Sequence, residues 1–160
     1  MAPIILPDIA ATQRFGTLLA HCITLCGPTA LFLHGQLGSG KTALTRSMVE
    51  ALPGGNTAEP ASPSFTLCNR YPTRPEVLHC DLYRCQANIP DELLDALDDI
   101  RMLVVIEWGE YLPTSELPQD YLDITLQACE KKRLLTLQAC GPVATVLQNM
   151  LLNMWSEKNA

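Results

Sequence analysis

Ala30-Leu31-Phe32-Leu33-His34-Gly35-Gln36-Leu37-Gly38-Ser39-Gly40-Lys41-Thr42 is the stretch on which the fold turns. Ala30 to His34 is an apolar run of strand type, and Gly35 to Thr42 matches G-x-x-x-x-G-K-[ST] at every position. Ala43 to Leu52 follows with helical character. The glycines let the backbone curl so that successive N–H groups face one concavity, and the following helix aims its positive end at the same point. Such a strand, loop and helix form a cradle for the phosphates of a nucleoside triphosphate. Gly35, Gln36, Leu37, Gly38, Ser39 and Gly40 supply backbone to it, Lys41 reaches the β- and γ-phosphates, and Thr42 offers its hydroxyl to a magnesium ion.

Outward from this stretch, Pro7 and Asp8 lead into a segment with apolar residues at Phe15, Leu18, Leu19, Cys22, Ile23 and Cys26, a helical spacing that Gly27-Pro28 ends. Beyond the phosphate loop, Pro53-Gly54-Gly55-Asn56 breaks the chain and Asn56 to Pro63 is a polar loop. Phe65 to Tyr71 and Val77 to Asp81 read as strands joined in a hairpin by Pro72-Thr73-Arg74-Pro75. Asp91 to Leu97 is a short acidic helix, and Met102 to Ile106 is an unbroken apolar strand of the kind buried on both faces. Tyr121 to Leu126 and Leu135 to Ala139 alternate apolar and polar around Glu130-Lys131-Lys132, a second hairpin, and Val143 to Trp155 is an amphipathic helix. The expected fold is α/β: one domain over residues 1–160, a P-loop NTPase-like central sheet that is mainly parallel, with antiparallel hairpin additions and flanking helices.

Composition narrows the function classes. Nearly half of the 160 residues are apolar, enough for a packed core. No run of eighteen apolar residues offers a membrane span, and Met1 to Arg14 lacks the basic-then-apolar order of an export signal. Seven cysteines include no C-x-x-C pair and are odd in number, so reduced, mostly buried thiols are expected, and with them a cytoplasmic protein. Net charge is −6, and Arg70, Arg74 and Arg84 cluster only loosely. A chain that holds nucleic acid by itself shows a basic face, so strong direct RNA binding is not expected.

A phosphate loop needs a carboxylate to place the metal, and Leu103-Val104-Val105-Ile106-Glu107 ends in one. Asp81, at the end of Val77-Leu78-His79-Cys80, is a second. The residues leave open which acid serves the metal and which polarises water; the more buried strand type favours Glu107. His79 is read either as a hydrogen-bonded core histidine or as the group that orients Asp81. Ser62-Pro63-Ser64-Phe65-Thr66 lies where a loop sensing the γ-phosphate often sits, with Ser64 as its hydroxyl, and Trp108 is a core or lid aromatic.

Together these pieces resemble one family, the bacterial tRNA threonylcarbamoyladenosine biosynthesis ATPases called TsaE, formerly YjeE. The resemblance rests on Gly35 to Thr42, then Ser62-Pro63-Ser64-Phe65-Thr66-Leu67, His79-Cys80-Asp81-Leu82-Tyr83-Arg84 and Ile106-Glu107-Trp108, and covers roughly Thr12 to Arg133. Departures are Ser64, Ser39 and Ala43, where the family has Thr, Ala and Thr, and Gly109, where Pro is frequent. The resemblance implies an ATPase that uses ATP and magnesium and binds a TsaD–TsaB pair. Through that pair it supports synthesis of N6-threonylcarbamoyladenosine in tRNA. By position it implies that Lys41 contacts phosphates, that Thr42 and Glu107 hold magnesium, and that Thr12 and Arg133 lie near the nucleotide. It also implies that loss of Asp81 or Trp108 impairs hydrolysis. The chain is expected to be a monomer on its own.

Two other classes share the phosphate loop. A small-metabolite kinase needs a lid with arginines that clamp the transferred group, and no Lys or Arg occurs from Met102 to Glu130. A non-hydrolysing module would use ATP only to order Ser62 to Leu67 and expose a docking surface.

Overall fold

A computed structural model describes residues 2–85 and 88–159. Met1, Gln86, Ala87 and Ala160, which the expected single domain of 1–160 includes, lie outside them. The described residues build one seven-stranded sheet with four α-helices, as the α/β reading requires. In chain order the elements are β1 (Ile4–Leu6), α1 (Ile9–Cys26), β2 (Ala30–His34), α2 (Lys41–Ala51), β3 (Cys68–Tyr71) and β4 (Glu76–Asp81). They continue with α3 (Asp91–Asp98), β5 (Met102–Glu107), β6 (Tyr121–Cys129), β7 (Lys132–Cys140) and α4 (Pro142–Asn159).

The sheet order is β1-β7-β6-β2-β5-β4-β3. The four central strands β6, β2, β5 and β4 run parallel, while β3 joins β4, β7 joins β6 and β1 joins β7 antiparallel. Parallel strands are buried on both faces, which is why Leu31, Phe32, Leu33 and Leu103 to Ile106 read as continuous apolar runs. Leu31, Leu33, Leu103 and Val105 face the larger core under α1, α2 and α4; Phe32, Val104 and Ile106 face a smaller one under α3.

Local chemistry sets the helix ends. Asp8 caps α1 by accepting from the Ala11 N–H at 2.6 Å. Asp120 is a cap supplied from the β6 approach: its carboxylate accepts from Val143 N and Ala144 N, both at 2.8 Å, and from Thr29 Oγ1 at 2.9 Å. Helices α1 and α2 approach closely at Gly16, where a Cβ would stand 2.1 Å from Ser47 Oγ and 2.7 Å from the Leu44 carbonyl. Both hairpins form where the sequence places them. The strand expected from Phe65 starts only at Cys68, because residues 64–66 form a turn and Leu67 takes the left-handed conformation (φ 65°). The Glu130-Lys131 turn joins strands longer than their alternation suggests, and β1 was not anticipated from a three-residue run between prolines.

One expectation is corrected. Cys68 and Cys80 form a disulfide, with Cα atoms 4.1 Å apart, across the β3–β4 hairpin; the other five cysteines form none. The hairpin register sets Cys68 directly opposite Cys80, a pairing that neither the odd cysteine count nor the missing C-x-x-C reveals. No described helix is long and apolar enough to cross a membrane.

His34, the last residue of β2, pairs with Asp123 of β6 at 2.9 Å, with Glu110 at 3.9 Å. The Asp123 hydrogen bond raises the ring's pKa above its ordinary 6.5, and partial burial only partly opposes it. A raised folded pKa stabilises fully below the unfolded value and loses that contribution as pH rises through the folded one. Asp123→Asn is expected to bring the His34 titration midpoint, read by NMR, back toward 6.5; an unmoved midpoint would refute the pairing. Gly16→Ala is expected to lower unfolding free energy by about 1–3 kcal/mol in denaturant titration through overpacking, and unchanged stability would contradict the close helix approach.

Candidate functional site

The site forms at the C-terminal ends of the parallel strands. Leaving β2, the chain turns at Gly35 (φ 140°), where a Cβ would meet the Leu126 carbonyl at 2.3 Å, so only glycine fits between the loop and β6. Ser39 N donates to the Gln36 carbonyl at 3.1 Å, closing the curl, and Ser39 itself is buried. Gly40 sits in the left-handed region (φ 112°) immediately before α2 and gives that helix no side-chain cap. The helix therefore presents its first N–H groups and positive end to the concavity without a resident acceptor side chain, the arrangement that receives an anion.

Lys41 is 7% exposed. Its Nζ donates to the carbonyls of Gly35 (2.7 Å) and Gln36 (3.2 Å), lies 3.8 Å from Glu107 Oε2 and stands 5.8 Å from the centroid of the Trp108 ring. Thr42 and the loop tip Gln36-Leu37-Gly38 are exposed. Leu33 to Gln36, Lys41, Trp108 and Glu110 line a cleft of 260 Å³.

Glu107 and Asp81 are register partners at the ends of neighbouring strands β5 and β4, on the side of the sheet that carries α2. β5 is the strand next to β2, so Glu107 is the acid beside the loop. Asp81 is engaged elsewhere: Oδ2 accepts from Ser64 Oγ at 3.1 Å and Oδ1 from Tyr83 N at 2.9 Å. Ser64 thus hangs on Asp81, joining the 62–67 loop to the strand end. His79 is a hydrogen-bonded core histidine, as the first of its two readings has it, and the alternative that it orients Asp81 is corrected. Its Nε2 lies 3.0 Å from Glu107 Oε1, because successive same-face residues on one strand point alongside each other while the diagonal neighbour on β5 is within reach.

Trp108 is half-buried in the left-handed conformation (φ 58°), a costly backbone state for a tryptophan that turns its ring over Lys41. Tyr83 packs 4.9 Å from it. The next residue has to be small here: a Cβ at Gly109 would stand 2.2 Å from Phe32 Cδ1. Arg133 of β7 crosses to the loop and donates from Nε to the Ser39 carbonyl at 3.0 Å, alongside Gly40. Thr12 is not brought to the open surface; it is buried in α1, its hydroxyl donating to the Asp8 carbonyl at 3.3 Å. Residue reading alone missed the Arg133 contact, which joins residues 94 apart in sequence. No cluster of three or more His, Cys, Asp or Glu residues suited to a metal occurs among the described residues.

With this geometry in place, the chain can be set beside known proteins. Residues 6–135 match the family model described as threonylcarbamoyl adenosine biosynthesis protein TsaE. The tRNA threonylcarbamoyladenosine biosynthesis protein TsaE of Nostoc sp. PCC 7120 is 35% identical over 136 residues, spanning 79% of this chain and 78% of the relative. The proteins of that name from Mycobacterium tuberculosis and Bacillus subtilis are 33% and 34% identical, over 76% and 69% of this chain and 76% and 70% of theirs. The crystal structure of Bacillus subtilis YdiB superposes with a TM-score of 0.73 at 24% identity, covering 96% of this chain and 97% of that one, and shares the fold. The match over most of the chain establishes that it belongs to the TsaE family of threonylcarbamoyl adenosine biosynthesis proteins.

Proposed function

We propose that this chain is a magnesium-dependent ATPase that binds a TsaD–TsaB pair and supports N6-threonylcarbamoyladenosine modification of tRNA, reaching the tRNA through that pair. One observation carries the reading: the glycine-rich loop and its buried lysine are flanked by two buried carboxylates on adjacent strand ends, Glu107 at 3.8 Å from Lys41 and Asp81 in register with it.

The residues fit both groups. The uncapped start of α2, the three left-handed glycines Gly35, Gly38 and Gly40, and Lys41 suit a triphosphate. The exposed hydroxyl of Thr42 and the Glu107 carboxylate are the hard oxygen donors that magnesium prefers. When bound, the ion supplies positive charge to phosphoryl oxygens. In this reading Lys41 binds phosphates, Asp81 orients water, Ser64 senses the γ-phosphate, Trp108 shields the site, and Arg133 serves the nucleotide side.

Two features support a protein partner. Leu37 is 97% exposed on the loop tip, Phe65 is 86% exposed on the 62–67 loop with the Arg84 guanidinium over its ring, and an exposed Tyr83 touches Trp108. Apolar side chains grouped around a site mouth mark an interaction surface. The net charge of −6 fits a factor that meets tRNA by way of other proteins. The stretch from Met102 to Glu130, without Lys or Arg, disfavours a kinase.

The purified chain is expected to hydrolyse ATP slowly with magnesium, and faster once TsaD–TsaB and tRNA are added. Turnover that the partners leave unchanged would remove the partner claim, and phosphate transfer to a small hydroxyl compound would favour the kinase. Turnover absent even with the partners would favour the non-hydrolysing module. Lys41→Ala and Glu107→Ala are each expected to cut hydrolysis by about 100-fold or more, the scale of a lost electrostatic contact to a transition state, while circular dichroism shows the fold retained. Full turnover in Glu107→Ala would transfer the metal role to Asp81.

A further inference from the structure

His79 takes no part in the chemistry described so far, yet it is a fully buried imidazole beside the site, at 1% exposure. It lies on β4 two residues before Asp81, on the same face, and its register partner on β5 is Val105. Glu107 is two residues beyond Val105, so the two side chains meet on the diagonal, with Nε2 to Oε1 at 3.0 Å. A carboxylate oxygen only accepts, so Nε2 donates; Nδ1 has no hydrogen-bond partner among the described residues and is then the lone-pair nitrogen. This arrangement leaves no buried N–H unpaired. It also divides the carboxylate: Oε1 is held by the ring, while Oε2 points to Lys41 at 3.8 Å.

We propose that His79 is a positioning residue for Glu107, holding one carboxylate oxygen so that the other faces the phosphate loop in a fixed direction. The inference rests on the reading of Glu107 as the metal carboxylate. A glutamate has three rotatable bonds, and at a metal site its freedom weakens binding; a partner that fixes a ligating carboxylate is worth about 10–100-fold in metal affinity. The longer side chain at a strand end is thereby given the directional definition that a shorter acid has from its backbone.

The test uses manganese(II) as the probe, titrated into the full chain with a non-hydrolysable ATP analogue and read as free ion by electron paramagnetic resonance. His79→Met fills the same space without a donor and is expected to weaken manganese(II) binding about tenfold or more. His79→Gln, whose amide reaches the Nε2 position, is expected to restore most of the affinity. Binding of the analogue in EDTA is expected to be the same in all three proteins, because the phosphate loop is untouched. Should His79→Met not fold, His79→Asn, whose amide stops short of Oε1, takes its place. Equal manganese(II) affinity in wild type and the donor-less variant overturns the proposal, as does a failure of His79→Gln to recover it. Glu107→Gln separates the two levels. If it weakens the ion and His79→Met does not, the positioning role alone fails; if it leaves the ion unaffected, the metal reading of Glu107 fails.

Discussion

A lysine amine buried at the C-terminal end of a parallel sheet has to be compensated, and the arrangement of this site follows from how Lys41 is. Desolvating an unpaired ammonium costs several kcal/mol, so the amine is surrounded by partners: two loop carbonyls, the Glu107 carboxylate and the Trp108 face. The carbonyls come from Gly35 and Gln36, so the lysine also braces the loop it belongs to. That bracing is provisional in chemical terms. Carbonyl dipoles hold an ammonium less strongly than the charged oxygens of a phosphate, so an anion entering the concavity competes for Nζ on favourable terms.

Around this centre the structure fixes the surrounding groups by tethering each to a different element. Glu107 is held by His79 on β4, Asp81 by the Tyr83 N–H and by Ser64 of the 62–67 loop, and the loop backbone at Ser39 by Arg133 on β7. Disulfide Cys68–Cys80 fastens β3, into which the 62–67 loop runs, to the strand that ends in Asp81. The left-handed residues Leu67 and Trp108 occur at two edges of the site, where backbone strain is retained because neighbouring contacts over-determine it. The consequence is a pair of carboxylates in unlike positions: one turned toward the lysine, the other occupied with the Ser64 hydroxyl of the 62–67 loop.

What the sequence disclosed divides along physical lines. The phosphate loop was legible because its chemistry is local: glycines for positive φ, lysine and threonine at fixed offsets, strand before and helix after. The helices and both hairpins were legible from period and turn residues. Strand order was not, because it depends on which apolar runs meet in three dimensions, and it is strand order that sets β5 beside β2 and brings Glu107 to Lys41. The partner of His79 was missed for the same reason. The Cys68–Cys80 pair was within reach: the hairpin was recognised, and counting back from Tyr71 opposite Val77 sets Cys68 against Cys80. β1 escaped because three residues between prolines carry no periodic signal, and its place comes from covering the edge of β7.

In the proposed function Lys41 is a phosphate-binding cation that rests on the carbonyls of its own loop, 3.8 Å from Glu107. A crystal structure with magnesium and a non-hydrolysable ATP analogue tests it most directly. The account predicts that Nζ leaves the Gly35 and Gln36 carbonyls for phosphate oxygens, with the ion between Thr42 and Glu107 and His79 still on Oε1. A nucleotide bound away from the loop, with Lys41 still on those carbonyls and Glu107 remote from the ion, would contradict it.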